Sequence, residues 1–382
     1  MEAKIKVLNP QFDSKLMDLI IEMERLKERS LGGTTHEMIF FQLKDIFHIL
    51  ESIGSSRIEG NNTTIAEYIE TKIPESDVNN HHAALLEISN IEKAMKFIEE
   101  TVAEYPINKS FVSELHKIVV ENLSPAPLGE GDPNPGVYRS HNVSIYKSSH
   151  KPIDYIFIND YMEELINFIN EDHGSKYELI KMAIVHHRFA WIHPFSNGNG
   201  RTVRLLTYAM LVKSGYRVEK GRIINPVAIF CTDRNKYYDK LSLADNGSEE
   251  GMLAWCEYVI EGLKKEVDKV YRLTDYSFVK DRLLNPMLEL SFKNKMLNEI
   301  EYKILKIAVE KQVMQAGDID KLFPGKSPNE KTRQINKLLD KNLLIRFEGQ
   351  RKYGVNFGNN YLLRSIMQVL DKEGFLPMKL DS

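Results

Sequence analysis

Residues 193–204 read HPFSNGNGRTVR and join two apolar segments of helical character, 177–191 and 202–214. Gly198-Asn199-Gly200 makes a loop whose backbone can turn its N–H groups into a concavity. The loop runs straight into a helix N-terminus, where unsatisfied N–H groups and the macrodipole attract anions. Arg201 and Arg204 stand three apart on that helix, so both can reach one anion. Asn199 adds an amide donor, and Phe195 offers an apolar anchor. His193, just before the turn, has the near-neutral pKa that suits a general base. Taken singly these features are ordinary, since Gly-Asn-Gly is a common turn and helical arginines are usually solvated. Together within one short stretch they describe a polyphosphate cradle with a proton acceptor beside it.

Rival chemistries find no support in the chain. It has neither a GxxxxGK[ST] phosphate loop nor an HExxH zinc motif. His186 and His187 are adjacent on a helix and point about 100° apart, so they cannot easily share an ion with His193. Composition narrows the class without touching the chemistry. The 382 residues imply two or three domains at roughly 150 residues each. Hydrophobic residues make up 42% and charged residues 27%, an ordinary globular balance. With 51 basic and 54 acidic residues the net charge is −3, so no global basic field marks a nucleic-acid binder. Cys231 and Cys256 are too few for a disulfide framework and fit a reducing compartment. The start, MEAKIKVLNP, lacks the features of a secretory signal, and no apolar run approaches the ~20 residues that span a bilayer. The expectation is a cytoplasmic protein without a membrane partner.

Outward from the motif, the chain reads as helices joined by short polar breaks. Apolar periodicity predicts helices over 16–26, 38–50, 81–100 and 109–121, then 161–169, 235–243 and 252–270. Prolines and glycines from Pro125 to Gly136 make a long loop. Val143, Ile145 and Tyr146 have strand character, with a hairpin tip over 147–151. The last part differs in texture: helices over 300–310, 316–322 and 329–341, the last after an N-cap at Ser327, then a ribbon over 345–347 and 353–357. Helix, helix, helix, ribbon is the winged-helix order.

HPFSNGNGRTVR closely resembles the signature of Fic domains, HxFx(D/E/N)GNGRxxR, and the likeness extends over roughly residues 40–265. Gly136-Val137-Tyr138-Arg139 with Val143–Ile145 resembles the family's flap hairpin, and Asn235-Lys236-Tyr237-Tyr238 the segment bordering the adenine pocket. The resemblance implies a mainly α fold, the Fic helical fold with a small β-hairpin flap, followed by a winged-helix domain. It implies transfer of AMP from ATP to a hydroxyl (Ser, Thr or Tyr) of a target protein or of the chain itself. In that scheme His193 is the base, and Gly198, Asn199 and Gly200 form the anion hole. Arg201 contacts the phosphate chain, Arg204 holds the γ-phosphate, and Tyr238 borders the nucleotide. Asn197 faces Mg2+ on the α- and β-phosphates; many members carry Asp there, and the uncharged amide makes a weaker metal site. The flap would pair with an extended target segment through backbone hydrogen bonds.

Ser55 and Glu59-Gly60 in SSRIEG resemble the family's inhibitory motif, (S/T)xxxE(G/N), placed N-terminal to the catalytic stretch. That implies a brake in which Glu59 pairs with Arg204 and takes it from the γ-phosphate. Residues 326–352 hold eight basic residues against three acidic ones, so the proposed winged helix could dock DNA or a protein. The expected segments are a helical region over 1–110 with the inhibitory motif at 55–60, a catalytic core over 111–273, a connecting segment over 274–298, and the winged helix with a final helix over 299–382. A homodimer is also open. Two other functions compete: removal of AMP from a modified protein, with Glu59 aligning a water, and a transcriptional or toxin–antitoxin-like regulator that uses the fold only to sense nucleotide.

Overall fold

Helices carry almost all the regular structure. The computed structural model describes residues 4–28, 33–73, 83–145, 150–216, 226–347 and 351–378, the side chains of 226–228 and 328 excepted. In chain order the helices are α1 (Lys15–Glu28), α2 (Glu37–Ile58), α3 (Ile65–Glu70), α4 (Ala83–Thr101), α5 (Lys109–Val120), α6 (Ile158–Asn170), α7 (Glu178–Ile192) and α8 (Asn199–Lys213). They continue with α9 (Pro226–Cys231), α10 (Arg234–Ala244), α11 (Glu249–Tyr271), α12 (Tyr276–Phe278), α13 (Asn285–Lys293), α14 (Glu299–Lys311), α15 (Pro328–Asp340) and α16 (Leu362–Lys372). Strands β1 (Leu344–Arg346) and β2 (Tyr353–Val355) form the one sheet among the described residues. No helix among those residues is long and apolar enough to cross a membrane.

One compact unit comprises Met1–Ser30, Glu51–Thr63 and Asn80–Asp268. Its centre is the α7–α8 pair. Both helices bury residues around their whole circumference, from Leu179 to Ile192 and from Arg201 to Val212, which is how a helix covered on every side reads. α7 packs on α8 and α6, and α8 on α4 and α5. Trp255 of α11 fixes itself to α7 by donating to the Ala183 carbonyl at 2.7 Å. Caps set the starts of the flanking helices: the Asn108 side chain accepts the Phe111 N–H before α5, and Asp233 accepts the Lys236 N–H before α10. The 193–198 turn therefore hangs between the two most enclosed helices, which is a rigid mounting for a site.

Two sequence expectations change here. The helix read over 38–50 runs on to Ile58, because Glu51, Ser52, Ser55 and Ser56 are buried and extend it with polar side chains that break the apolar period. The expected flap hairpin forms no strand in 137–145 or 150–158, and Tyr146 with most of the hairpin tip lies outside the described residues. Side chains join the two legs in place of a ladder. Arg139 donates to the carbonyls of His141 and Ile153 at 2.8 and 2.6 Å, and Asn142 Oδ1 accepts the Tyr155 N–H at 3.0 Å.

The other unit comprises Leu31–Leu50, Thr64–Asn79 and Lys269–Ser382. α13 packs on α14 and α16, and Arg364 of α16 donates twice to Glu70 of α3, at 2.6 and 2.5 Å. The stretch read as a connecting segment, 274–298, is largely helical, passing from α12 through a π-helix (Val279–Leu284) into α13. A capping box of Asn298 and Glu301 opens α14. A 3-10 helix (Ala316–Leu322), α15 and the antiparallel β1–β2 pair follow, with Leu344 opposite Val355. Ser327 stands at the N-cap position but makes no side-chain cap bond; Pro328 presets the first turn instead. Each unit is assembled from three stretches of chain.

Candidate active site

His193 ends α7 in the left-handed conformation, φ 54° and ψ 62°, with its N–H on the Phe189 carbonyl at 3.0 Å. Arg139 lies buried beside this turn. Its Nε donates to the His193 carbonyl at 2.8 Å, and its own N–H reaches the Pro194 carbonyl at 2.9 Å. Burial first, then the Arg139 charge, push the His193 imidazole down to about 4, against the opposing pull of Glu59 and of a bond to the Ala190 backbone. At neutral pH the ring is uncharged, the state a proton acceptor requires.

Below the turn, Phe195 is fully buried and stacks on His116 with ring centroids 3.7 Å apart and planes 2° from parallel. The anchor role read from the sequence has a physical partner there. Asn199 departs from expectation: its Oδ1 accepts the Phe195 N–H and its Nδ2 donates to the Phe195 carbonyl, both at 2.9 Å. Both polar ends brace the loop, because a buried turn needs partners for its backbone, and neither faces an anion. Asn197, partly buried, also spends its amide on backbone groups. Its Oδ1 accepts the Gly198 N–H at 2.7 Å and its Nδ2 donates to the Gly131 carbonyl at 3.3 Å. Gly198 starts α8 at φ 74°, and a β-carbon there would meet Val120 Cγ1 at 3.0 Å and His116 Nε2 at 3.4 Å, so conformation and space both require glycine.

The two arginines are fully enclosed. Arg204 Nε donates to Ser55 Oγ at 2.9 Å, and Nη2 donates to the Ser55 carbonyl at 3.0 Å and to Glu59 Oε1 at 2.6 Å. Burial works against the Glu59 charge, but the charge and hydrogen bond of Arg204, with Arg201 and Arg234 beyond, outweigh it and hold the carboxyl below its ordinary range. The same carboxylate covers Gly200, whose β-carbon, were it present, would lie 2.0 Å from Glu59 Oε1. Arg201 faces buried Glu87, with Nη1 3.1 Å from Oε1, and its Nη2 donates to the Glu130 carbonyl at 2.6 Å. Its buried Nε makes no hydrogen bond. Asn61 Nδ2 donates to the second Glu87 oxygen at 2.7 Å, joining the 59–61 turn to the Arg201 side.

Tyr238, on α10, is 41% exposed and stands beside buried Tyr237, ring centroids 5.0 Å apart. His186 contacts Thr207 Oγ1 and the Tyr237 hydroxyl at 2.8 and 3.0 Å, and His187 contacts Asp245 at 3.0 Å, so the two rings serve different partners. Among the described residues no three His, Cys, Asp or Glu side chains gather as a metal cluster. The structure thus gathers Ser55, Glu59, Gly200 and Arg204 in one group of contacts, and His116, Asn197 and Gly198 in another. Glu87, Asn61, His116 and Asp132 were missed in the sequence. Glu87 shares the apolar face of Ile91 and Ala94, and His116 that of Val112 and Val119; a titratable side chain on such a face was the available signal.

The Fic/DOC family profile matches residues 106–211. The chain is 32% identical over 207 residues to the protein adenylyltransferase Fic of Drosophila yakuba, covering 52% of this chain and 37% of that protein. It is 30% identical over 210 residues to the same-named protein of Aedes aegypti, covering 53% and 37%. The matched region therefore spans less than two fifths of those relatives. A Fic family protein from Desulfovibrio desulfuricans G20 shares the fold with a TM-score of 0.57 at 16% identity, over 91% of this chain and 98% of that one. A Fic-domain protein from Bacteroides thetaiotaomicron VPI-5482 gives 0.55 at 19% identity, over 67% and 97%. Residues 106–211 thus match the Fic/DOC family, in a chain similar over about half its length to known Fic adenylyltransferases.

Proposed function

We propose that the chain is an autoinhibited protein adenylyltransferase that moves AMP from ATP to hydroxyl side chains of a target and of itself. The observation that carries this reading is the neutral His193 at one end of a helix start whose two buried arginines are held by carboxylates of the chain. A target hydroxyl gives its proton to the His193 ring as its oxygen bonds to the α-phosphorus. The bond from that phosphorus to the bridging oxygen breaks, and pyrophosphate leaves. Residues 1–110 supply the brake and 111–273 the transfer chemistry. Arg204 and Arg201 neutralise the departing charge, and the α8 start offers the N–H groups that a helix leaves unpaired. Arg201 Nε, buried without a hydrogen bond, is a donor awaiting such an anion.

A magnesium ion carried by the nucleotide suits these residues. Asn197 Oδ1 is one neutral oxygen, and Glu130 Oε2 lies 3.5 Å from the Asn197 amide. So sparse a protein donor set fits an ion that brings phosphate and water oxygens with it. When bound, the ion would offset charge on the α- and β-phosphates.

Incubation of the parent, Glu59→Gly and Glu59→Gly/His193→Ala proteins with ATP labelled at the α-phosphate, followed by intact-mass measurement, tests the reading. Label that appears in the second protein and vanishes in the third supports it; no label in any of them overturns it. Removal of AMP is the second reading, favoured by the Glu59 charge acting on His193, which puts a carboxylate near the reaction centre. Release of pre-attached AMP that depends on Glu59 would select it.

For residues 299–382 we read the order α14, 3-10 helix, α15, ribbon as a winged helix. Three of its basic residues are engaged: Lys331 with Asp320 at 2.6 Å, Lys341 with Glu301 at 2.7 Å and Arg333 with Glu330 at 3.6 Å. Fewer charges are left for phosphates, so protein docking is the better-supported use and a DNA-directed regulator the weaker. Filter binding across salt decides, because phosphate contacts weaken steeply with ionic strength.

A further inference from the structure

One ring joins the catalytic loop to the segment expected to receive the target. His116 is fully buried on α5. Its Nδ1 accepts the Gly136 N–H at 2.8 Å, and its Nε2 lies 3.0 Å from the Asn197 carbonyl oxygen. The first contact fixes the tautomer. A backbone N–H can only donate, so Nδ1 carries no proton; Nε2 then does, and it donates to Asn197. Asp132 takes the other backbone group of the same residue, its Oδ2 accepting the Asn197 N–H at 3.0 Å while its Oδ1 accepts the Asn134 N–H at 2.8 Å. The ring also stacks on Phe195 and lies against Gly198. Its contacts thus reach the root of the segment that begins at Val137, the anchor Phe195, the backbone of Asn197 and the helix start.

We propose that His116 is a positioning residue of the transfer reaction, a neutral ring that ties Gly136 to the backbone of Asn197 so that the target-binding segment and the phosphate-binding loop keep one register. The proposal rests on the reading of His193 as the base of adenylyl transfer. No single amide can replace the ring. Asparagine reaches as far as the Nδ1 position and can accept from Gly136; glutamine reaches as far as Nε2 and can donate to Asn197.

The test places His116→Asn, His116→Gln and His116→Ala in the Glu59→Gly chain, with an inactive Glu59→Gly/His193→Ala copy as acceptor protein. His116→Gln is expected to keep kcat within about threefold and to raise the acceptor KM about tenfold; His116→Asn is expected to do the reverse. The Kd of a fluorescent ATP analogue should weaken in Asn and Ala but not in Gln. Hydrogen exchange at the Gly136 amide should stay slow in Asn and become fast in Gln and Ala. If all three variants lose kcat and KM together in proportion to their loss of Tm, the ring only fills space and the proposal is overturned. If the Glu59→Gly chain transfers no AMP, the transferase reading fails separately. Exchange and analogue binding then decide the clamp alone: an Asn–Gln split supports it, and equal values in all three overturn it.

Discussion

Glu59 Oε1 stands 2.6 Å from Arg204 Nη2 and also fills the space above Gly200. One carboxylate therefore covers both a guanidinium and the start of the helix that carries it. On the proposed reading, a triphosphate would compete with this side chain for the same two features.

Replacing Glu59 with glycine should raise self-modification in ATP and magnesium by about ten- to hundredfold, the range that a charged hydrogen bond of ~1.5–3 kcal/mol implies. Ser55→Ala removes the neutral partner of Arg204 Nε and should release less activity than Glu59→Gly. Intact-mass time courses compare the two. Equal or lower activity in Glu59→Gly than in the parent would show that the pair is no brake.

Gly200→Ala puts a methyl group where the Glu59 carboxylate lies, 3.2 Å from Arg204 Nη1. The pair should loosen without any gain in activity, because the same methyl blocks the approach of phosphate to the backbone. Nucleotide Kd should weaken by about tenfold or more, and adding Glu59→Gly should not restore it. Recovery in the double variant would mean that phosphate does not approach at Gly200.

Glu87 faces Arg201 in a buried pair, and removing one partner of such a pair typically costs about 3–5 kcal/mol. Glu87→Ala should lower Tm markedly, whereas Glu87→Gln, which keeps an acceptor for Asn61, should lower it less. Thermal unfolding of the two variants beside the parent checks the order.

Acid should destabilise the protein from about pH 6.5 downward, before its carboxylates titrate. Burial holds His116 down to about 4 and His186 well below its ordinary value, the latter also facing the Arg204 charge. Unfolded, each ring gains a proton near 6.5; folded, each resists it. The unfolded state then binds more protons, and stability falls by up to about 1.4 kcal/mol per pH unit for each ring. Glu87 acts in the opposite sense. Burial, foremost, raises it against the Arg201 charge, so it takes up a proton more readily when folded. Urea unfolding at pH 6.5 and 5 measures the slope, which His186→Gln should make shallower.

The Glu59–Arg204 contact was legible in the sequence because each partner lies in a short recognisable stretch, SSRIEG and residues 193–204, although 145 positions separate them. What escaped reading depends on partners far apart in sequence. His116, Asp132, Glu87 and Asn61 form no motif, and their roles exist only once α4, α5 and the 130–136 loop pack around α8. Asn199 was read as an amide donor from its place in the loop and Asn197 as metal-facing from the family resemblance, and neither signal says where a buried backbone finds its partners. The end of α2 was missed for a related reason: serines that look like a break are covered in the fold. The hairpin was read from strand-like residues near 143–146 and its role as a flap from the family resemblance, and neither carries information about Arg139 holding the legs by their carbonyls.

The left-handed backbone at His193 makes function and sturdiness pull apart. A residue with a side chain in that conformation costs on the order of 1–2 kcal/mol, and asparagine or glycine bears it more easily. His193→Asn should therefore leave an inert protein that melts no lower than the active one, and a few degrees higher if the relief is complete. If His193 is the base proposed above, a substitution that firms this turn would remove the reaction while leaving the fold intact.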